Sequence, residues 1–298
     1  MGAEVNLIDV QALGQAKSID LATKMGNELN GLFKVLNITS KLPLNIGSAI
    51  KTYSYDIVES SKPNGDVAEG DIIPLTKVER KVVDIGELTF TKFRKSTSIE
   101  AIQAHGYDIA IQDTDQVVLR YVQKKFKQKF YSTLESALSS PERTNTEQLT
   151  AKNLQGALAV GRANLVALTD SDDLIAFVNP KDVAKHMAEG LIVSNGSQFG
   201  IKLLNDYVGV RLVEDPEIMA GEVRMTTSQN IKVVYANPRG EISRAFPLTT
   251  DETGFVGVLH DIQAERLTAD TVYASAVTMY PENIDEVVKV RIQEEPTV

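Results

Sequence analysis

The sequence predicts an α+β fold organised on one long central helix, and three observations carry that reading. Between Asp113 and Leu138, the residues Val118, Val122, Phe126, Phe130, Leu134 and Leu138 recur every four positions, with Val117, Tyr121 and Tyr131 widening the stripe. That spacing lines one face of a helix and fits no strand. Upstream, Tyr53, Tyr55 and Ile57, then Leu88 and Phe90, alternate with polar residues at strand period. Downstream, from Leu149 to Tyr235, helical patterns and short apolar runs take turns, which points to a compact α/β-type lobe beside the helix. The central helix would be about 39 Å long at 1.5 Å per residue, more than most helices in compact domains, and so reads as a spine. Asp113, Thr114 and Asp115 supply short oxygen side chains for its free N–H groups, and Ser139-Ser140-Pro141 ends it.

In chain order, residues 1–40 begin as a short irregular arm and continue as an amphipathic helix with Leu21, Met25, Leu29, Leu32, Phe33 and Leu36 on one face. Gly26 and Gly31 each weaken it by about 1 kcal/mol against alanine, so it needs packing to persist. Residues 41–57 are extended. The polar cluster Ser60-Ser61-Lys62-Pro63-Asn64-Gly65-Asp66 is a turn. Val78–Ile85 and Leu88–Ser96 read as two antiparallel arms around Gly86, rich in charge and poor in large apolar residues. A two-stranded ribbon of that kind is marginal alone and must lean on its own domain or on a neighbouring subunit. Within the spine, Lys124, Lys125, Lys127 and Lys129 read as a solvated face with stems over the core edge, in preference to a nucleic-acid patch.

Beyond Pro141, Glu142–Glu147 is a polar loop and Leu149–Leu168 a second amphipathic helix. Thr169–Asp173 is a turn of Asx character, Leu174–Val178 a buried strand, and Asn179-Pro180 opens a short helix. Asn195-Gly196 marks a polar loop. Val208–Val213 is a strand ending at Asp215-Pro216, and Ile231–Tyr235 another, closed by Asn237-Pro238-Arg239-Gly240. Thr271–Tyr280 is a final long strand, and Val287–Ile292 an edge strand.

Composition narrows function. A hydrophobic share of 43% with 24% charged residues belongs to a folded protein. The net charge of −9 argues against a dedicated nucleic-acid binder, though not against a container that holds nucleic acid without gripping it. No cysteine is present, which removes disulfides, thiolate metal sites and cysteine nucleophiles. No signal segment and no run of about 18 apolar residues is found, so no membrane association is expected. Phosphate-loop, dinucleotide, H-E-x-x-H and G-x-S-x-G motifs are missing. His105, His186 and His260 stand far apart, and Asp170, Asp172 and Asp173 lack the glycine and the twelfth-position glutamate of a calcium loop. No catalytic residue, cofactor or metal is expected, and the chain does not read as an enzyme.

Four segments, in order, resemble the major capsid proteins of tailed bacteriophages, the Hong Kong 97 type. Val67-Ala68-Glu69-Gly70-Asp71-Ile72-Ile73-Pro74 is similar to the extended loop of that family, and Phe93–Glu100 to the basic strand that enters the spine helix. Phe177-Val178-Asn179-Pro180-Lys181-Asp182 resembles the strand–Asn-Pro–helix step of the axial domain, and Tyr207–Val213 through Gly221 its following strand and turn. The resemblance implies a phage-coat fold: an N-terminal arm over 1–57, an extended loop (β-hairpin) over 58–98, a peripheral domain from 99–150 and 250–298 with the spine helix 113–138, and an axial domain over 151–249. It implies a virion protein, assembled in the host cytoplasm as pentamers and hexamers of an icosahedral phage head. Its partners would be further copies of itself, scaffolding and portal proteins, and packaged DNA contacted weakly and without sequence specificity. Asp66, Glu69, Asp71, Pro74, Arg80, Lys81, Lys92 and Arg94 are the expected intersubunit contacts. Val118, Val122, Phe126, Phe130 and Leu134 are the expected spine core. No long charged helical segment precedes residue 50, so a fused scaffolding segment is not expected, and no lysine–asparagine crosslink motif can be matched. An encapsulin-type nanocompartment of the same fold around a protein cargo, and a soluble α/β ligand-binding protein, stay open at this stage.

Overall fold

The computed structural model describes residues 10–293 except 37, 39, 59–66, 70, 74, 107, 199–200, 205, 238–245, 247, 251 and 264. The chain opens with α1 (Val10–Val35), short β1 (Lys41–Pro43), and a long ribbon of β2 (Ala49–Ile57) and β3 (Val78–Glu87). β4 (Thr91–Ser98) and α2 (Ile99–His105) lead through a π-helical turn, Asp108–Asp113, into the spine α3 (Thr114–Leu138). There follow β5 (Leu149–Ala151), α4 (Leu154–Thr169), β6 (Leu174–Val178), α5 (Pro180–Ala188), the pair β7 (Ser194–Gln198) and β8 (Ile201–Leu204), β9 (Arg211–Glu214) and β10 (Glu222–Thr227). The chain closes with β11 (Ile231–Tyr235), β12 (Thr249–Thr250), β13 (Val256–Gln263), β14 (Thr268–Ser275), β15 (Val277–Pro281) and β16 (Val287–Ile292).

Three sheets surround the spine. The largest has the order β5-β16-β10-β6-β9-β8-β7 and carries α4 and α5. A second, β12-β13-β14-β4, packs on α1, and a third joins β1, β11 and β15. One core runs through the molecule: Met25, Leu29, Leu32 and Phe33 of α1 meet Phe255, Val256 and Val258, and continue to Val122, Phe130 and Leu134 of the spine and to Phe177 of β6. Within the segment 1–57, α1 has the tertiary packing that its glycines make it need. A second core, around Leu158, Leu165, Ala176, Leu212, Met225 and Val290, belongs to the largest sheet and α4.

The spine lies where the sequence puts it, but its details differ. Asp113 makes no side-chain cap, because the π-helical turn already occupies the N-terminal end. The Thr114 hydroxyl donates back to the carbonyls of Ala110 (2.7 Å) and Ile111 (3.0 Å). Lys95 Nζ donates to Ile111 O and Thr114 Oγ1 and pairs with buried Asp115 at 2.6 Å, so a lysine from β4 ties that strand to the start of the spine through its oxygen acceptors. Of the stripe, Val122, Phe130, Tyr131 and Leu134 are buried, whereas Val118 and Phe126 are half-buried and Val117 and Tyr121 exposed. The four-residue repeat drifts around a 3.6-residue helix, and Leu119 and Ala137 complete the buried face. Lys127, expected in solvent, is buried against Asp215.

Strand pairing corrects the expected ribbon. β3 pairs antiparallel with β2, from Ala49↔Glu87 to Ile57↔Val78, while β4 pairs with β14. The chain turns away at Gly86 (φ 138°), and Leu88 is fully buried, so 88–98 is drawn into the body. The inward face of β2 is Ile50, Thr52 and Ser54, not the Tyr53-Tyr55-Ile57 series. Leu149–Ala151 is a strand ahead of α4, whose cap is Asn153 accepting from Gly156 N at 2.8 Å. Asn195-Gly196 lies within the β7–β8 pair, and the strand after Tyr207 starts at Arg211 because Val208 (φ 56°) and Gly209 form a turn. The long C-terminal strand breaks at buried Ala276, where its two halves serve different sheets. β16 is not an edge: it lies between β5 and β10, with Val287, Val288 and Val290 buried, so the sheet of the expected axial unit also takes strands from outside 151–249. The 169–173 turn is built by the hydroxyls of Thr169 and Ser171, while Asp172 and Asp173 pair with Arg162 and Arg211.

Candidate assembly interface

The β2–β3 ribbon is fixed at its root and exposed along much of its described length beyond it. At the root, Ile50 and Leu88 enter a small cluster with Val234, Ala236, Ala276 and Tyr280. Tyr53 N donates to Glu282 O (2.7 Å), and Ile284 N donates to Tyr53 O (2.9 Å). Ser54 Oγ donates to Asp285 Oδ2 at 2.5 Å. Asp285 Oδ1 also accepts from the backbone of Thr144 (2.6 Å) and Asn145 (3.1 Å), so one buried carboxylate joins the ribbon, the loop after the spine and the turn before β16. Arg143 braces that loop by donating to the carbonyls of Ile284 and Val287. The buried polar face of β2 is satisfied on two sides: Ser54 bonds to Asp285 of the body, and Thr52 Oγ1 donates to Val83 O of β3 at 3.4 Å.

Past the root the ribbon offers apolar side chains to solvent. Ile72, Ile73 and Leu75 are 93%, 76% and 92% exposed, and Tyr55, Ile57, Val78 and Val82 are exposed along the strands. Single exposed apolar residues are ordinary, but seven on one projecting element are not. Among the residues expected at subunit contacts, Glu69, Asp71, Arg80, Lys81 and Lys92 are exposed. The Arg80 guanidinium sits over the Tyr53 ring at 4.6 Å, and Lys81 stands 3.9 Å from Glu142. Arg94 is committed within its own chain: its Nε donates to buried Asp270 Oδ2 at 3.0 Å, with a second bond from the guanidinium. Burial alone would raise the Asp270 carboxyl, but hydrogen bonds from Ser96 and Arg94, and the Arg94 charge, hold it below the usual range. Asp66 and Pro74 lie outside the described residues. The expected contact residues are charged ones and Pro74, within a loop that also holds Ile72 and Ile73, and they do not include the exposed apolar side chains of Ile72, Ile73 and Leu75. Their signal was an Ile-Ile-x-Leu run inside an otherwise polar connection.

His105 ends α2, His186 lies in α5 and His260 in β13. Among the described residues, no group of three histidine or carboxylate side chains is placed to hold a metal ion. No described helix is long and apolar enough to cross a membrane.

No protein-family model matches the chain, and no curated protein matches it by sequence. Solved structures do match in shape. The capsid of cyanophage P-SCSP1u superposes with a TM-score of 0.53 at 11% identity, covering 86% of both chains. A virus-like particle from Pyrococcus furiosus gives 0.52 at 12% identity, covering 93% of this chain and 98% of that one. The capsid of an empty GTA particle gives 0.50 at 10% identity, over 98% and 94%. At such identities the likeness establishes fold: the chain has the Hong Kong 97-type coat fold of phage capsid proteins, with mixed helix and sheet throughout. The resemblance read from four short segments is to proteins of this same fold.

Proposed function

We propose that this chain is the major capsid protein of a tailed double-stranded DNA phage, closing as pentamers and hexamers into an icosahedral head around the genome. The observation that carries the reading is the ribbon tip, where Ile72, Ile73 and Leu75 are exposed among the described residues. Apolar groups placed at the end of a rooted lever are satisfied by a second copy, and closed symmetry satisfies every copy at once. The role is structural, with no catalytic step. The seven-stranded sheet serves as the axial domain, and the spine with the β12-β13-β14-β4 sheet as the peripheral domain. Scaffolding and portal proteins are the expected partners, in the host cytoplasm. With a net charge of −9, DNA is held by the closed wall more than by contacts.

The test is light scattering and negative-stain electron microscopy of the purified protein, alone and with candidate scaffold. Shells, or discrete pentamers and hexamers, support the reading, and a persistent monomer with scaffold present rejects it. Nuclease-resistant DNA inside the shells separates a phage head from a container for protein. Deleting Asp66–Pro74 is expected to leave folded subunits that do not close.

A further inference from the structure

The spine and the seven-stranded sheet meet through a polar joint buried inside an otherwise apolar contact. Asp215 follows β9 and is 0% exposed. Its Oδ1 receives Lys127 Nζ at 3.1 Å and Glu217 N at 3.1 Å, and its Oδ2 receives the Tyr131 hydroxyl at 3.0 Å. One turn earlier on the same face, Lys124 pairs with Glu217 at 3.3 Å, and Gln128 donates to Glu217 at 2.8 Å. One turn later, Glu135 pairs with Arg224 of β10 (2.9 Å) and Lys289 of β16 (2.8 Å). Arg224 also donates to the Tyr131 carbonyl at 3.2 Å. Positions 124, 127, 128, 131 and 135 form one helix face, and their partners lie on β10, β16 and the turn after β9.

Apolar contact across this joint is supplied by Phe130 and Tyr131, whose rings meet Phe177 edge-on at 5.4 and 5.7 Å. Such contact is non-directional and tolerates sliding or rotation of a helix over a sheet. A hydrogen-bonded carboxylate does not. It holds two helix donors in fixed directions, and a shifted helix would leave Asp215 charged and buried with only the Glu217 N–H of its own turn. Buried ion pairs add little net stability compared with well-packed apolar groups, so directional selection is the property they contribute here.

We propose that the Lys127–Asp215–Tyr131 cluster is an angular lock that sets how the seven-stranded sheet stands on the spine helix. Its consequence for a shell, that one lobe angle lets rings close uniformly, rests on the coat reading; the lock itself does not.

The experiment compares wild type with the triple variant Lys127→Met/Tyr131→Phe/Asp215→Leu, an apolar replacement of similar shape. The chain has no cysteine, so spin labels at Gln116→Cys on the spine and Glu189→Cys after α5, both exposed, report one distance. The triple variant is expected to keep the wild-type denaturant midpoint while its distance distribution widens to about twice the wild-type width, since packing survives and direction does not. In electron micrographs its particles should be polymorphic. A distribution as narrow as wild type in a folded triple variant overturns the proposal. If that variant does not fold, Tyr131→Phe decides, because it removes one donor and no charge: widening supports the lock and an unchanged width overturns it. Absence of shells from the wild type would reject the coat reading alone, because the distance measurement is made on the unassembled subunit.

Discussion

At the scale of single residues, three buried carboxylates, Asp115, Asp215 and Asp270, each pair with a basic side chain from another element. Lys95–Asp115 ties β4 to the start of the spine, Lys127–Asp215 ties the spine to the turn after β9, and Arg94–Asp270 ties β4 to β14. Asp270 gives the most direct test. Its carboxyl titrates lower folded than unfolded, so its stabilisation is present above the ordinary aspartate range and disappears as the pH falls through the folded value. Asp270→Asn should therefore cost about 1–3 kcal/mol at neutral pH by chemical denaturation. The gap to wild type should close only as the pH falls below the depressed range of the folded carboxyl, where both chains carry a neutral side chain. A gap that persists at low pH would mean that shape, not charge, supports the β4–β14 pairing. The Tyr131 phenol is shifted the other way. Burial, then the charge of Asp215 and the bond to it, push it well above its usual value, so it stays a donor throughout the physiological range.

At the scale of elements, packing reverses a rule that holds for isolated helices. Gly161 lies in α4, where alanine normally favours a helix by about 1 kcal/mol. Here an added Cβ would collide with the Met225 sulfur and press on Val290 Cγ2 at 3.2 Å. Gly161→Ala is thus expected to destabilise by about 1–3 kcal/mol, seen as a lower thermal midpoint. In the spine, Phe126 is half-buried and Phe130 fully enclosed. Phe130→Ala should cost about 3–5 kcal/mol through its cavity, whereas Phe126→Glu should leave a folded but weakened protein whose carboxylate reaches water. Equal losses at both positions in denaturation curves would contradict that ranking. The contrast also shows what the sequence made legible. Periodicity located the spine and α1, because each buries a regular face, while a continuous apolar run located β6 and the Asn179-Pro180 start located α5. It did not resolve which strands pair: 78–85 and 88–96 are neighbours in sequence, yet Gly86 and buried Leu88 send them to different sheets, and that choice depends on β14, about 180 residues on. Nor did it find Lys127, since a lysine among lysines on a helix carries no mark of its buried partner. The candidate interface was legible as a charged connection, while its apolar tip stood out only when no part of the described fold covered it.

At the scale of the whole molecule, exposed apolar surface is set apart from the packed body. The body closes its own cores around the spine, and the ribbon carries Ile72, Ile73 and Leu75 away from them. Because these three side chains are nearly bare in the subunit, replacing all of them with serine should change unfolding stability by no more than about 0.5 kcal/mol at each site. In an assembly the same side chains would each contribute about 2 kcal/mol on burial against a neighbour. A tenfold rise in the free subunit concentration corresponds to only about 1.4 kcal/mol, and closed shells multiply every contact around their rings. The expected outcome is therefore a clean separation. Ile72→Ser/Ile73→Ser/Leu75→Ser should melt like wild type in calorimetry, yet stay unassembled in light scattering at concentrations where wild type has formed shells. If the triple-serine protein closes normally, the tip is a solvent-exposed ornament and the contacts lie elsewhere on the subunit. If it melts early, the ribbon supports its own fold, and the absence of cover over the tip has been misread.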